Sequence, residues 1–504
     1  MNKEQLSTSY RKYTKLYHLG RCLRIFIFFA FIILTLILNA DNGVTSWASQ
    51  HIKNDLSFSD DDYDLFVNVP TIGRIIGSLI FCFLLNHVDR KSLMIGVLCI
   101  HSVLFFGVYL YNDKYVLLII RACIGFLKVF THIYIPIWVD QFAMKSVQTI
   151  LMTIIILTAP LGRAVGFGIG SCLAIENWRS AFMLIGCGVL IIILVLIGVP
   201  YQYFSIEFKF SGYDESVELD DDISLFRQSI AKSNDKESKG NKDSFIGMVS
   251  KLLFNGSYIL SVYARANLLF IYQVIHSFIG DYVINALKSK QQKQILYYYS
   301  ISSVIGPIMG CLCGGISTSK VGGYEHMSSI YICVFFSFVT IASVFPLVYS
   351  FDYFWFSLSL FLFFFSSSAL LPTILGYIIS SVTFEQKAIA SSLNLFITTV
   401  LGNVPGPIVY SFINKSMKSK LPMFAWKCTM FYFFFGFGAV LMACVFRYKE
   451  FNHEMEMIQK RKKKEKIEES KLSVMGFSLD ESMRPKLTGA YFQEEELQEI
   501  GEDM

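Results

Sequence analysis

About twelve apolar stretches, most of them roughly 20 residues or longer, divide this chain, and at 1.5 Å of rise per residue each crosses a bilayer as a helix. In hydrocarbon every backbone N–H and C=O must be satisfied within the membrane, so runs of this length are read as helices. They fall near 24–46, 66–86, 92–111, 115–139, 147–174 and 180–200, then near 257–284, 295–318, 327–350, 353–380, 388–413 and 424–447. The expectation is an all-α membrane protein with twelve transmembrane helices in two six-helix bundles. The 504 residues are 54% hydrophobic and 16% charged, which excludes a soluble globular domain.

The polar intervals set the expected organisation: a cytosolic N-terminal segment at 1–23, an N-terminal bundle at 24–200, a cytosolic linker at 201–256, a C-terminal bundle at 257–447 and a charged cytosolic tail at 448–504. The linker carries an acidic cluster (Asp214, Glu215, Glu218, Asp220, Asp221, Asp222) and a Lys/Ser/Asn-rich stretch, the composition of a solvated connection rather than a docking site. Arg11, Lys12, Lys15, Arg21 and Arg24 precede the first span, and Arg90 and Lys91 follow the second, which puts both termini in the cytosol. Lys288, Lys290, Lys293, Lys415, Lys418 and Lys420 fall on the outer side and weaken that rule without reversing it. Helix is expected to about Ser470, with Lys460 to Lys466 facing anionic lipid or water. The first span doubles as the targeting signal, with no cleavable leader before it. Plasma and endolysosomal membranes both fit.

Eleven cysteines, most of them inside apolar runs (Cys82, Cys99, Cys123, Cys172, Cys187, Cys333 and Cys444 among them), show no zinc or redox spacing and read as small core residues. Asn414 and Ser416 form a glycosylation sequon too close to the bilayer to carry weight. Nucleic-acid binding has no support. No nucleophile with a neighbouring base, no metal spacing and no phosphate-binding loop is present, so an enzyme, a metal and a cofactor are not expected.

Five charges stand inside or at the edge of the spans: Asp41, Arg74, Arg121, Lys128 and Arg163. A charge near the bilayer centre costs about 2.5–3.5 kcal/mol even on lenient scales, so such groups pair together or line a polar path. On the fourth span Arg121, Gly125, Lys128 and His132 follow i, i+4, i+7, i+11 spacing and share one helix face. Arg121 reads as a structural intramembrane charge, while Lys128 and His132 are directed at a cavity. Asn39 to Gly43 reads as a polar break in the first span, with Asp41 either a counter-ion or proton site or a cap for the extension after it. In the fifth span Pro160, Gly162, Arg163, Gly166, Gly168 and Gly170 allow close helix approach, as do Gly306, Pro307, Gly310, Gly314 and Gly315, then Gly402, Pro405, Gly406 and Pro407. Arg265, Gln273, His276 and Asp281 punctuate the seventh span, and Asn394 and Asn403 the eleventh, as hydrogen-bonding rather than charge-bearing groups.

Two six-span halves, a basic patch after the second span, an Arg-x-x-x-Gly start to the fourth and a glycine-rich fifth together resemble the major facilitator superfamily. Ile76–Ile80, Arg121–Gly125, Gly162–Gly170 with Asn177, Trp178 and Arg179, and Gly314, Gly315, Gly322, Gly323 and Tyr324 are similar to the Spinster branch of lysolipid and sphingolipid transporters. The resemblance implies pseudo-two-fold halves around a central cavity, alternating access, and a gating loop after the second span. That loop is altered here: Cys82, Asn86, His87 and Asp89 replace a Gly, an Asp, an Arg and a second Gly, with Arg90 and Lys91 retained. The branch pattern also implies Asp-Arg in the first span and a Glu seven residues after the Arg of the fourth. Asp41 matches, whereas Asn42 and Lys128 depart, which argues against carrying over proton coupling.

The resulting expectation is a secondary transporter of a small organic anion or amphiphile such as a lysolipid, monomeric and surrounded by membrane lipid. Asp41, Arg74, Lys128, His132 and Arg163 are the binding or coupling residues. The alternative is a non-transporting receptor or scaffold on the same fold.

Overall fold

The structure is a computed structural model and describes residues 3–143, 145–173, 177–204, 245–283, 292–350, 352–382, 386–417 and 423–474. Twelve helices among the described residues are long and apolar enough to cross a membrane, and no strand occurs among them. In chain order they are α1 (Lys3–Trp47), α2 (Asp60–His87), α3 (Arg90–Leu110), α4 (Lys114–Phe142), α5 (Lys145–Leu173) and α6 (Trp178–Ile197). The second set is α7 (Gly256–Asp281), α8 (Gln292–Lys320), α9 (Ser329–Tyr349) and α10 (Tyr353–Ser380). Then α11 runs over Lys387–Thr398, a π-helical turn at Thr399–Asn403 and Pro405–Met417, and α12 over Phe424–Phe431 and Phe433–Val474.

Ends are set by local chemistry. Asp113, Asn177 and Asn255 each accept from a backbone N–H of the first turn of α4, α6 and α7, satisfying donors that have no partner inside the helix. Ser59 and Asp62 make a reciprocal capping box at α2. Two short helices flank the spans, Ser49–Leu56 after α1 and Phe245–Phe254 before α7, so the end of the expected linker is helical. The acidic linker cluster and Lys288, Lys290, Lys418 and Lys420 lie outside the described residues.

Lipid-tail solvent offers little drive for helix association, so packing depends on how closely backbones approach. Glycines supply that approach along repeated seams. A Cβ on Gly73 would lie 1.9 Å from the Ala122 carbonyl oxygen, and one on Gly125 2.0 Å from that of Pro70, which locks α2 to α4. In the second half a Cβ on Gly310 or Gly314 would meet the Phe365 or Ala369 carbonyl oxygen at 2.0 or 2.1 Å, which locks α8 to α10 in the same way. A Cβ on Gly166 would lie 1.9 Å from the Ala40 carbonyl oxygen and one on Gly43 2.0 Å from that of Arg163, which joins α1 to α5. Their counterparts are Gly402 and Gly406, where a Cβ would lie 2.6 and 2.7 Å from the Ala266 and Phe270 carbonyl oxygens, which joins α7 to α11. Matching seams at matching positions express the pseudo-symmetry of the two halves.

Among the described residues these spans, with α12 as far as Arg447, form one compact unit, and the rest of α12 from Tyr448 belongs to another. α10 is the most enclosed span, followed by α4 and α7. Leu110, Leu194 and Phe412 are exposed, as residues facing lipid tails are.

One expectation changes. The polar run Asn39 to Gly43 does not break α1, which stays helical through Trp47. Gly43 is itself a contact point with α5, and its lack of a side chain serves packing rather than flexibility.

Candidate functional site

The α1–α5 seam fixes Asp41 one residue beyond Ala40, facing α4. The seven-residue spacing on α4 then brings Lys128 and Arg121 to the same carboxylate. Lys128 Nζ donates to Asp41 Oδ1 at 2.9 Å, and Arg121 Nη1 donates to Oδ2 at 3.3 Å. All three side chains are buried. The Arg121 guanidinium also lies over the Phe66 ring, 5.0 Å from its centroid, and faces the Phe182 ring at 5.9 Å. One carboxylate therefore balances two cations, leaving a net positive centre. His101 of α3 is fully buried beside this group, with neither ring nitrogen hydrogen-bonded, and within electrostatic reach of Asp41 and Lys128.

A second layer of charge surrounds the trio. Arg74 of α2 and Arg163 of α5 are within electrostatic reach of each other and of Asp41. His132, one turn beyond Lys128, senses Arg74, Lys128, Asp41 and, across the two halves, Arg265 of α7. Arg163 is also within reach of Tyr299 of α8 and His276 of α7. Arg74, His132 and Arg265 are half-buried, and Arg163 is exposed although it sits well inside its span. Arg74, Arg163 and Arg265 have no hydrogen-bond or ion-pair partner among the described residues, and Arg74 Nε is buried and unsatisfied. Five donors on a guanidinium that cannot be deprotonated normally find acceptors, and those of Arg74, Arg163 and Arg265 find none among the described residues.

The wall from the second half is aromatic and hydroxylic. His276 Nδ1 and the Tyr299 hydroxyl are 2.7 Å apart, and the His276 ring stacks on Phe364 with centroids 5.5 Å apart. The Tyr272 hydroxyl pairs with Ser368 and accepts from Ser367 Oγ at 3.1 Å. An apolar cleft of about 300 Å³ opens elsewhere, between α7, α11 and α12, lined by residues including Tyr263, Phe270 and Tyr432, and none of the charged residues lines it.

In the loop after α2 the bonds of Asp89 and Lys91 stay within the first half. Asp89 caps α3, accepting from Ser92 N at 2.9 Å and Oγ at 2.6 Å. Burial opposes its ionisation, but these bonds outweigh that and hold its carboxyl below the usual range. Lys91 Nζ donates to the Ile197 and Val199 carbonyls at 2.9 and 2.6 Å, closing the end of α6. Arg90 lies at the first turn of α3; His87 is exposed at the end of α2, its Nδ1 2.8 Å from the Phe83 carbonyl oxygen. The side chain of Asn86 lies outside the described residues.

A lock between the halves comes instead from Asp140, near the end of α4. It is ion-paired with Lys387 at the start of α11 and accepts from the Tyr324 hydroxyl at 2.6 Å. Gln148 Nε2 donates to Asp140 Oδ1 at 2.8 Å from α5. Burial, then the Asp140 charge, pushes the Tyr324 phenol well above its ordinary value, so it stays a donor. On the same face a Cβ at Gly315 would lie 2.0 Å from Thr153 Oγ1, so α8 and α5 touch there too. On the opposite face Asp55, in the short helix after α1, accepts from Arg179 Nη2 at 2.8 Å and Trp178 Nε1 at 3.1 Å. Partial burial raises the Asp55 pKa, but the Arg179 and Trp178 bonds outweigh it and leave the carboxyl below its ordinary value.

Of the residues singled out from sequence, Asp41, Arg74, Lys128, His132 and Arg163 fall in one electrostatic neighbourhood, with Arg121 bound into its core. Sequence reasoning missed Asp140, Lys387 and His101, and read Arg265 as a hydrogen-bonding group, whereas it has no such partner among the described residues. The signal for Arg265 was present: a lone arginine within the seventh span with no carboxylate at helical spacing before Asp281. No group of side chains able to hold a metal occurs among the described residues.

No curated protein sequence matches the chain. Among solved structures it is similar to a point variant of the E. coli fucose:proton symporter FucP, with a TM-score of 0.63, 13% identity, and coverage of 84% of this chain and 99% of that one. FucP in the outward conformation gives 0.61 at 12% identity, covering 84% and 99%. The proton:xylose symporter XylE bound to 6-bromo-6-deoxy-D-glucose gives 0.58 at 14% identity, covering 85% and 96%. These likenesses establish the fold. Residues 27–407 match the sequence profile of the Major Facilitator Superfamily, and with twelve helices arranged in its fold the chain belongs to that superfamily, a family of membrane transporters.

Proposed function

We propose that this protein is an alternating-access carrier for a small organic anion or an amphiphile with a phosphate or carboxylate group, held by Arg74, Arg163 and, from the other half, Arg265. One observation carries the reading: these three guanidiniums lack protein partners among the described residues, while the nearby carboxylate, Asp41, is committed to Lys128 and Arg121. A planar guanidinium matches the paired oxygens of phosphate and carboxylate. FucP and XylE are named as proton symporters of fucose and xylose. A cluster of uncompensated arginines suits an anion better than a sugar, and a lysolipid phosphate satisfies the same donors.

In this reading Lys128 and Arg121 set the position of Asp41 and the local field, and the anion meets Arg74 and Arg163 directly. Both termini lie in the cytosol, so the Asp140–Lys387 lock closes the cytosolic face. The carrier works as a monomer. The test is thermal unfolding of purified protein with inorganic phosphate, 2-oxoglutarate, lysophosphatidate, fucose and xylose. Stabilisation by an anion, lost in Arg74→Gln with Arg163→Gln, supports the reading; stabilisation by sugars alone contradicts it.

A further inference from the structure

We infer that the carrier is an obligate anion exchanger, one that changes sides only with an anion bound; this rests on the proposed anion-binding role. Alternating access passes through a state closed on both sides, in which groups at the centre lose most of their water. What the centre then contains decides which forms of the carrier pass through that state.

Among the described residues the centre holds Arg74, Arg121, Lys128 and Arg163 around the single carboxylate of Asp41, and Arg265 joins them on the far side of His132. Asp41 is already divided between Lys128 and Arg121, so it has no charge to spare for the other three. An arginine does not shed its proton to relieve the excess. His132, beside Arg74 and Arg265, is an imidazole and supplies no negative charge. Asp140 stands at the closed face, engaged by Lys387 and Tyr324, and is not available to the centre.

An empty carrier that closes therefore buries several uncompensated cations, and each buried, unpaired charge is strongly unfavourable. A carrier loaded with an anion brings the missing charge with it. Net uptake needs the empty form to return, whereas exchange needs only loaded forms in both directions. The charge count thus favours exchange, and most strongly for an anion bearing more than one negative charge.

The test begins with the full chain and the panel of inorganic phosphate, glycerol 3-phosphate, 2-oxoglutarate and lysophosphatidate in thermal unfolding. The anion that stabilises most is then used, radiolabelled, for uptake into proteoliposomes loaded either with the same anion or with sucrose in zwitterionic potassium buffer. Valinomycin is present so that a membrane potential does not limit net uptake. Initial uptake is expected to be at least about tenfold faster into anion-loaded vesicles, a difference of about 1.4 kcal/mol in barrier. Arg265→Gln, which removes one excess charge, is expected to lower that ratio. Equal rates into both vesicle sets overturn exchange and leave the anion site standing. A ratio unchanged in an active Arg265→Gln carrier also overturns it, because the charge excess is then not what holds the empty form. Binding without uptake into either set identifies a receptor and ends the exchange proposal. Stabilisation by none of the anions removes the anion reading itself.

Discussion

Replacing Asp41 with Asn keeps the shape of the side chain and removes the negative charge from between two buried cations. Lys128 Nζ at 2.9 Å and Arg121 Nη1 at 3.3 Å then face a neutral amide that accepts at one atom only. At an effective dielectric of about 20, unit charges 4 Å apart interact by about 4 kcal/mol. Stranding a partner of a buried pair costs about 3–5 kcal/mol in practice, because desolvation is no longer offset. Asp41→Asn is therefore expected to lose about 3–5 kcal/mol, with Lys128 able to discharge and Arg121 not. Lys128→Met leaves Asp41 bound to Arg121 and removes repulsion between the two cations, so its loss is expected to be smaller, about 1–3 kcal/mol. The double variant no longer contains a stranded lysine and is expected to lose less than the sum of the singles by about 1 kcal/mol or more. Equilibrium unfolding in mixed micelles of rising SDS content measures all three. If Asp41→Asn stays within about 0.5 kcal/mol of the parent, or if the losses simply add, the trio is not the electrostatic core of the first half.

Gly166→Ala places a Cβ 1.9 Å from the Ala40 carbonyl and is expected to cost about 1–3 kcal/mol by overpacking. Gly168→Ala meets nothing within 4 Å and should be near neutral in the same SDS titration, so equal effects would remove the seam argument. Asp140→Asn removes the charged acceptor of Lys387, and a charge-assisted bond of about 1.5–3 kcal/mol corresponds to a shift of about tenfold or more toward separation of α4 from the start of α11. Spin labels on those two ends should report a longer distance population, and an unchanged distribution would count against the lock. The Asp55 carboxyl is held below its ordinary value of 3.8, so its contribution is present above that pH and is lost as pH falls through the lower value of the folded state. The thermal midpoint difference between the parent and Asp55→Asn should accordingly shrink as the medium is acidified below that point, and a difference that grows there would reverse the assignment.

The twelve spans were legible because an apolar run long enough to cross a bilayer has few alternatives. The placement of Arg121 and Lys128 on one face followed from helical spacing alone, and the structure turns that face to Asp41. Asn39 to Gly43 was harder: Asn, Asp and Gly disfavour helix locally, but Gly43 is where the α5 backbone touches α1, and packing overrides propensity. The Asp140 lock was illegible because its partners Tyr324 and Lys387 lie 184 and 247 positions away in sequence. Spacing along one chain segment does not encode contacts between halves. Arg265 was misread for a related reason: a sequence shows that an arginine lies in a span, but not whether an acceptor reaches it. The superfamily is established by the matched region, whereas Asn177, Trp178 and Arg179, read from sequence as similar to the Spinster branch, serve in this chain for capping and for holding Asp55, roles that carry no substrate information.

Affinity of the purified protein for the most stabilising anion, measured by calorimetric titration at fixed salt, bears most directly on the arginine site. Arg74→Gln and Arg163→Gln are each expected to weaken binding by about tenfold or more, since a hydrogen bond to a charged group is worth about 1.5–3 kcal/mol. Unchanged affinity in both variants, with the fold intact, would contradict an anion held by these arginines.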